Sequence, residues 1–204
     1  MIERLRRYSV KYSLLILLTV VSAFLRLYNL EGSLMFQGDQ GRDAMIVADI
    51  FRKHDLVFIG PVTSVGIMYL GPLYYYFMLP FLMLSYPSPI GPAVGVALLG
   101  VLTTVLLFLL GKQMVGDRAA YIASFLYTFS ATAVMYSRFS WNPNPAVLVG
   151  LLLLYTTWKA TQNPRWWIWV GVWVACIIQL HYLTLLAVGA AGLAWLYQCL
   201  EIVR

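Results

Sequence analysis

From Leu56 to Gly111 the chain runs 56 residues without one Asp, Glu, Lys or Arg. From Trp166 to Leu200 it runs another 35, in which His181 is the sole histidine. Shorter runs of the same kind cover residues 12–25, 119–137 and 139–158. A helix needs about 20 predominantly apolar residues to cross a bilayer, and these stretches are of that order. A soluble domain carries roughly 25% charged residues; this chain has 11%, with 61% hydrophobic. The apolar and aromatic richness excludes disorder. Two cysteines, Cys176 and Cys199, are too few for a disulfide scaffold and read as packed thiols. The net charge of +6 lies in short basic clusters between apolar runs, where Lys and Arg orient spans, and this argues against nucleic-acid binding. The pattern predicts an all-α polytopic membrane bundle forming one membrane domain over residues 1–204, embedded among membrane lipids.

The first segment, residues 12–30, follows Arg4, Arg6, Arg7 and Lys11. It resembles a signal peptide without a small-x-small cleavage site, and so reads as a retained anchor. Further spans are expected at 92–111, 119–137 and about 146–160. The run 166–200 suits a helical hairpin with its turn near Gln179-Leu180-His181-Tyr182. Residues 69–84 are apolar but short and hold Gly71, Pro72 and Pro80. If they cross, 5 basic residues face the cytoplasm against 8 outside; if they lie in the outer interface, the division is 9 against 4. Because Lys and Arg concentrate in cytoplasmic loops, the second arrangement is expected. It gives about six transmembrane helices, both ends cytoplasmic, and an outer loop over 31–91 with extracytoplasmic juxtamembrane helices. Tyr74–Tyr76 with Phe77, and Trp166, Trp167 and Trp169, read as interfacial aromatic belts.

The outer loop holds five of the eight acidic residues. Within residues 40–54, Ile46, Val47, Ile50 and Phe51 form the stripe of an amphipathic surface helix facing lipid or protein. Asp39 opens that helix. It reads either as an N-cap accepting backbone amide hydrogen bonds or as a base beside the outer membrane surface, able to deprotonate a hydroxyl. Asp43, four residues on, is expected on the same face, with Arg42 projecting about 100° away. Arg138 ends the third span in the sequence YSRFSWNPNPA, either snorkelling to the interface or gripping a phosphate through two parallel hydrogen bonds. Asn142 and Asn144 precede prolines and read as turns or as amide ligands for a sugar or metal. His181 is either a satisfied structural group or a contact for the same phosphate, and Arg26 near the outer end of the first span has the same two readings. No zinc ligand set, nucleotide-binding glycine loop or Ser-His-Asp arrangement stands out.

Order and motifs together resemble the amino-terminal part of a GT-C fold glycosyltransferase, of the kind seen in protein O-mannosyltransferases, the lipid A aminoarabinose transferase and related bacterial transferases of glycosyltransferase family 39. In that family a basic terminus and one span lead to an outer Asp-Glu-x-Arg motif; here it reads Asp39-Gln40-Gly41-Arg42. A Pro-Leu-x-Tyr-Tyr-like segment follows, here Gly71-Pro72-Leu73-Tyr74-Tyr75-Tyr76, and then a Ser-Arg turn, here Ser137-Arg138. The chain departs from the pattern at Gln40, where the family has its second acid. It departs again at Leu70-Gly71, where members often have Lys or His before the proline motif. A third departure is at Asn142 or Asn144, where an acid usually follows the Ser-Arg turn.

The resemblance implies transfer of a sugar from a polyprenyl-phosphate donor to a hydroxyl of a protein, lipid or glycan. The reaction would occur on the extracytoplasmic face of the cytoplasmic membrane. Asp39 matches the base and Arg42 the arginine beside it; Asp43, Arg138, Asn142 and His181 are candidates for substrate contact. No organic cofactor is implied, and a divalent metal stays open. Members run to several hundred residues, so the chain is expected to correspond to an amino-terminal portion. The alternative is a non-catalytic polytopic protein, a lipid-carrier translocase or assembly partner.

Overall fold

The computed structural model describes residues 2–203, with side chains from 12 to 200. Among these the architecture is all-helical, and the only strand-like pairing is a single antiparallel bridge between Val62 and Tyr69. Helix α1 (Ile2–Leu27) is followed by the amphipathic α2 (Gly38–Lys53), the short α3 (Leu73–Ser85) and the long α4 (Ile90–Val115). Then come α5 (Asp117–Phe129), α6 (Ala131–Tyr136), α7 (Ala146–Gln162), α8 (Trp167–Ile177) and α9 (Leu185–Val203).

Among the described residues, two segments are long and apolar enough to cross a bilayer, Ile90–Val115 and Tyr182–Leu200. Of the other expected crossings, the first falls on α1, the third on the α5–α6 unit and the fourth on the 17-residue α7. The expected third span is broken at Ser130, whose extended backbone ends α5 and whose Oγ accepts from the Ala133 amide to start α6. The run 166–200 folds as expected into two helices around residues 178–184, but both pack on α7. At 13 residues and 1.5 Å per residue, α3 is about 20 Å long, short of the ~30 Å hydrocarbon core.

The bundle has its polarity reversed relative to a soluble protein. Leu186, Ile168, Leu193 and Val20 are 60–80% exposed, while Ser22, Thr104, Ser124 and Thr128 are fully buried. Against lipid, helix association relies on close packing and interhelical hydrogen bonds. The Ser22 and Thr104 hydroxyls make one such bond between α1 and α4 at 2.8 Å. On α4, Gly91 and Gly95 let α3 approach until a Cβ at either would overlap Phe81.

Two arginines lock α1 to the broken α5–α6 unit without any acid. Arg26 on α1, completely buried, donates to the carbonyls of Tyr127 (3.1 Å) and Thr128 (3.5 Å), which the break leaves open at the end of α5. Reciprocally, Arg138 after α6 donates to the carbonyls of Leu25 (2.8 Å), Tyr28 (2.9 Å) and Asn29 (3.3 Å) and to the Ser33 hydroxyl at the end of α1. Cationic groups suit the negative end of a helix dipole, and a broken helix is tolerated at membrane depth when side chains satisfy its freed carbonyls.

The stripe on α2 faces protein. Val47 and Ile50 are buried with Tyr74, Tyr75, Met78 and Leu82 of α3, Val96 of α4 and Leu180 of the α8–α9 turn, with Ile46 and Phe51 beside them. Tyr74 and Tyr75 are therefore core residues, 0% and 1% exposed, where an interfacial belt was expected. Their hydroxyls find partners inside: Tyr74 with Ser140 at 2.6 Å, Tyr75 with Asp43 at 3.4 Å. Trp166 and Trp167 likewise pack partly into the α7–α8–α9 core, and Trp169 stays half-exposed.

Candidate functional site

The first turn of α2 is built by residues other than the expected cap. Gln37 is the N-cap, and Gln40 closes the capping box by accepting from the Gln37 amide at 2.8 Å. Asp39 is thus released from capping. Its carboxylate stands 54% exposed and receives Arg42 Nη1 at 3.0 Å. Gln40, which stands where the resembled family has its second acid, is 6% exposed and committed to the helix start.

Asp43 lies one turn further on, yet does not share the exposure of Asp39. With Val47 and Ile50 it follows the i, i+4, i+7 line that faces α3, and it is 2% exposed. Arg42 folds back across the turn: Nε and Nη2 donate to Asp43 Oδ1 at 2.9 and 2.7 Å, while Nη1 holds Asp39. The guanidinium therefore bridges the two carboxylates, fixed from within by Asp43 and presenting Asp39 outward. Burial raises the Asp43 carboxyl above its ordinary range despite the opposing hydrogen bond from Arg42. Burial and the negative charge of Asp43 push the Tyr75 phenol up to about 12, so it stays a donor to Asp43 at neutral pH.

A cavity of about 100 Å³ opens beside this unit, lined by Asp39, Arg42, Asn142 and His181 together with Thr63, Ser64, Trp141 and Tyr182. Four expected site residues from three separate regions thus converge. Asn142, 7% exposed, donates through Nδ2 to the Leu180 carbonyl at 2.6 Å and ties the α6–α7 connection to the α8–α9 turn. His181 caps the short turn at 182–184: its Nδ1 accepts from the Leu183 amide at 3.2 Å. Its proton, inferred from that bond, therefore lies on Nε2, and partial burial lowers its pKa, favouring neutral imidazole.

Asp43 stands behind the cavity, and Arg138 is not among its lining residues, its guanidinium being engaged by the end of α1. Asn144 turns its amide to the Phe139 carbonyl. Among the described residues no group of three or more His, Cys, Asp or Glu comes together. The donor set around the cavity, one carboxylate with an imidazole and an amide, therefore does not fit a divalent metal.

Sequence reasoning missed Thr63. It is 7% exposed, its Oγ1 is buried without a partner, and it lines the cavity. A buried hydroxyl without a hydrogen bond costs free energy, which a ligand oxygen here would recover. Nothing in the sequence marks it. The loop of residues 57–71 reaches the cavity only because Gly60 and Gly71 pass almost in contact, with the Gly60 amide on the Leu70 carbonyl at 2.9 Å.

No curated protein and no solved structure matches the chain. A family model described as dolichyl-phosphate-mannose-protein mannosyltransferase matches residues 56–199. Those residues include Thr63, Tyr75, Arg138, Asn142 and His181 but begin after Asp39, Arg42 and Asp43. On that match the chain belongs to the dolichyl-phosphate-mannose-protein mannosyltransferase family, membrane-integral glycosyltransferases of the GT-C type.

Proposed function

We propose that the chain carries the catalytic corner of a transferase that moves a sugar from a polyprenyl phosphate to an acceptor hydroxyl. The reaction takes place on the extracytoplasmic face of the cytoplasmic membrane, in a bundle of six crossings. The observation carrying this reading is the convergence of Asp39, Arg42, Asn142 and His181 on one cavity that also holds the unpartnered Thr63 hydroxyl. Family membership and the distribution of basic residues support the donor class and the sidedness.

In this reading Asp39 accepts the proton of the acceptor hydroxyl as its oxygen bonds to the anomeric carbon. The bond from that carbon to the phosphate oxygen breaks, its electron pair leaves with the phosphate, and the configuration inverts. Asp39 keeps one carboxylate oxygen on Arg42 and reacts through the other. The departing phosphate meets the outer edge of the Arg42 guanidinium and the His181 Nε2 proton, with Thr63 and Asn142 orienting its oxygens. Asp43 and Tyr75 act through Arg42 as positioning residues.

The experiment is transfer from a polyprenyl-phosphate-linked mannose to peptide, lipid and glycan acceptors, with the chain reconstituted in vesicles. Loss of general-base help costs about 10²–10⁴-fold in rate, so Asp39→Asn should lower kcat by that factor with little change in KM for the donor. Full activity in Asp39→Asn would remove Asp39 as the base. Absence of transferred product from a wild-type chain that still binds the donor would favour the non-catalytic lipid-carrier role.

A further inference from the structure

Between α2 and α3 the chain turns back on itself in a segment that carries no charge after Asp55. The Gly60 amide donates to the Leu70 carbonyl at 2.9 Å, the Leu70 amide to Pro61 at 3.0 Å and the Thr63 amide to Met68 at 2.9 Å. These bonds close a hairpin whose tip turns at Gly66, with φ +87°. The two sides of the hairpin differ. Thr63 and Leu70 are buried and line the polar cavity, whereas Val62 and Tyr69, bridged to one another, are exposed. Phe58, Ile59, Val65, Ile67 and Tyr69 are 58–91% exposed.

An exposed apolar cluster marks a site of contact with protein or with a membrane. Its place in the fold selects the membrane. At the tip, the Ser64 hydroxyl lies 3.3 Å from the Tyr182 hydroxyl. Tyr182 opens the segment Tyr182–Leu200, which is long and apolar enough to cross a bilayer. Leu183, Leu185 and Leu186, which follow directly, are 59–80% exposed. The tip therefore stands at the height where α9 enters the bilayer, beside side chains that already face lipid. Its composition and bonding agree with that height. Phe58 and Tyr69 are of the aromatic type enriched where water meets lipid. Backbone bonds made across the hairpin supply partners that hydrocarbon does not offer.

We propose that the hairpin of residues 58–69 is seated in the lipid leaflet at the residue-182 end of α9. Its outer side rests among the upper acyl chains, and its inner side, with Thr63, walls the polar cavity. This goes beyond the transferase reading. It needs α9 to cross the bilayer, and it depends neither on sugar transfer nor on which face of the membrane that end occupies.

The test places an environment-sensitive thiol-reactive fluorophore at Ile67→Cys or Phe58→Cys, in the full chain with Cys176→Ala and Cys199→Ala. Lys53→Cys is the water-facing reference and Leu193→Cys, midway along α9, the lipid-facing one. All four replaced side chains are exposed, and variants that elute from size exclusion as wild type does are carried forward. The proteins are reconstituted in phosphatidylcholine vesicles and quenched in two ways. One quencher is iodide, present on both faces, and the other is phosphatidylcholine bearing a nitroxide high or low on its acyl chain. Relative to Lys53, the labels at Ile67 and Phe58 should be quenched at least threefold less by iodide and at least threefold more by the high nitroxide. The low nitroxide should act most strongly at Leu193. Iodide quenching at Ile67 equal to that at Lys53 would put the hairpin in water and overturn the proposal. Protection from both quenchers would mean that protein, a second copy included, covers this side, and would overturn it equally. A Leu193 label open to iodide would remove the span that sets the height. None of these readouts involves Asp39, so an active Asp39→Asn leaves the seat untouched.

Discussion

Gly60→Ala should open the site without replacing any residue that lines it. A Cβ on Gly60 would sit 2.0 Å from the Gly71 carbonyl oxygen and 2.6 Å from its carbon, where contacts under 3.0 Å are essentially never seen. Both atoms are backbone, so the extended segments at 58–62 and 69–71 must move apart to relieve the overlap. That separation strains the hydrogen bonds from the Gly60 amide to Leu70 (2.9 Å) and from the Leu70 amide to Pro61 (3.0 Å). Losing two such bonds costs about 1 kcal/mol each net, and overpacking adds about 1–3 kcal/mol. Incomplete loss of the bonds brings the local cost to roughly 2–4 kcal/mol. At tenfold per 1.4 kcal/mol, the amides of Thr63 and Leu70 should exchange about 30- to 1000-fold faster in hydrogen-exchange mass spectrometry. Donor affinity should fall with them, because Thr63 and Ser64 ride on this loop. Gly171→Ala, whose Cβ would meet nothing within 4 Å, is the control and should leave both unchanged. If Gly60→Ala exchanges at these amides like wild type, the close pass does not hold the loop, and Thr63 is not held at the cavity in the way described.

Asp43, whose folded pKa is raised by burial, should make stability fall with rising pH. Below the ordinary carboxylate pKa of about 3.9 both folded and unfolded chains keep the proton. As pH climbs through the raised value the folded chain must bury a charge, and that stability is lost. Melts in detergent should show this slope in wild type and a flatter one in Asp43→Asn; identical slopes would show that Asp43 does not titrate abnormally. Arg138→Ala removes charge-assisted bonds to the end of α1, worth about 1.5–3 kcal/mol and near the lower figure for a partly exposed group. Its melting temperature should fall, while folded protein keeps polyprenyl-phosphate affinity within about twofold. A large selective loss of affinity would instead return Arg138 to the site.

The segment Asp39-Gln40-Gly41-Arg42 lies before the matched residues 56–199 and has a local chemistry of its own. Gln40 cannot act as a second carboxylate; it closes the capping box with the N-cap residue Gln37. Asp43 supplies a second acid from the next turn, but a buried one that holds Arg42. In the proposed mechanism the two acids divide the work: the exposed carboxylate reacts and the hidden one orients Arg42.

Helical character, the hairpin around His181 and the amphipathic α2 were readable from residue order, because apolar runs and periodicity act over a turn or two of chain. Asp39, Arg42, Asn142 and His181 could be singled out as polar groups in apolar surroundings, but that they line one cavity came from the tertiary structure. The sequence left open whether the stripe on α2 meets lipid or protein, and it suggested an aromatic belt where Tyr74 and Tyr75 are core. Periodicity shows that a helix has an apolar side, whereas the partners covering that side come from α3, α4 and the α8–α9 turn, well along the chain. Arg138 and Thr63 mark the same boundary. A cation beside an apolar run reads alike whether it meets a phosphate or a helix end, and a threonine in an aperiodic loop carries no local signal. Only the passage of one backbone against another, at Gly60 and Gly71 and across α1 and α5, decided what each of them touches.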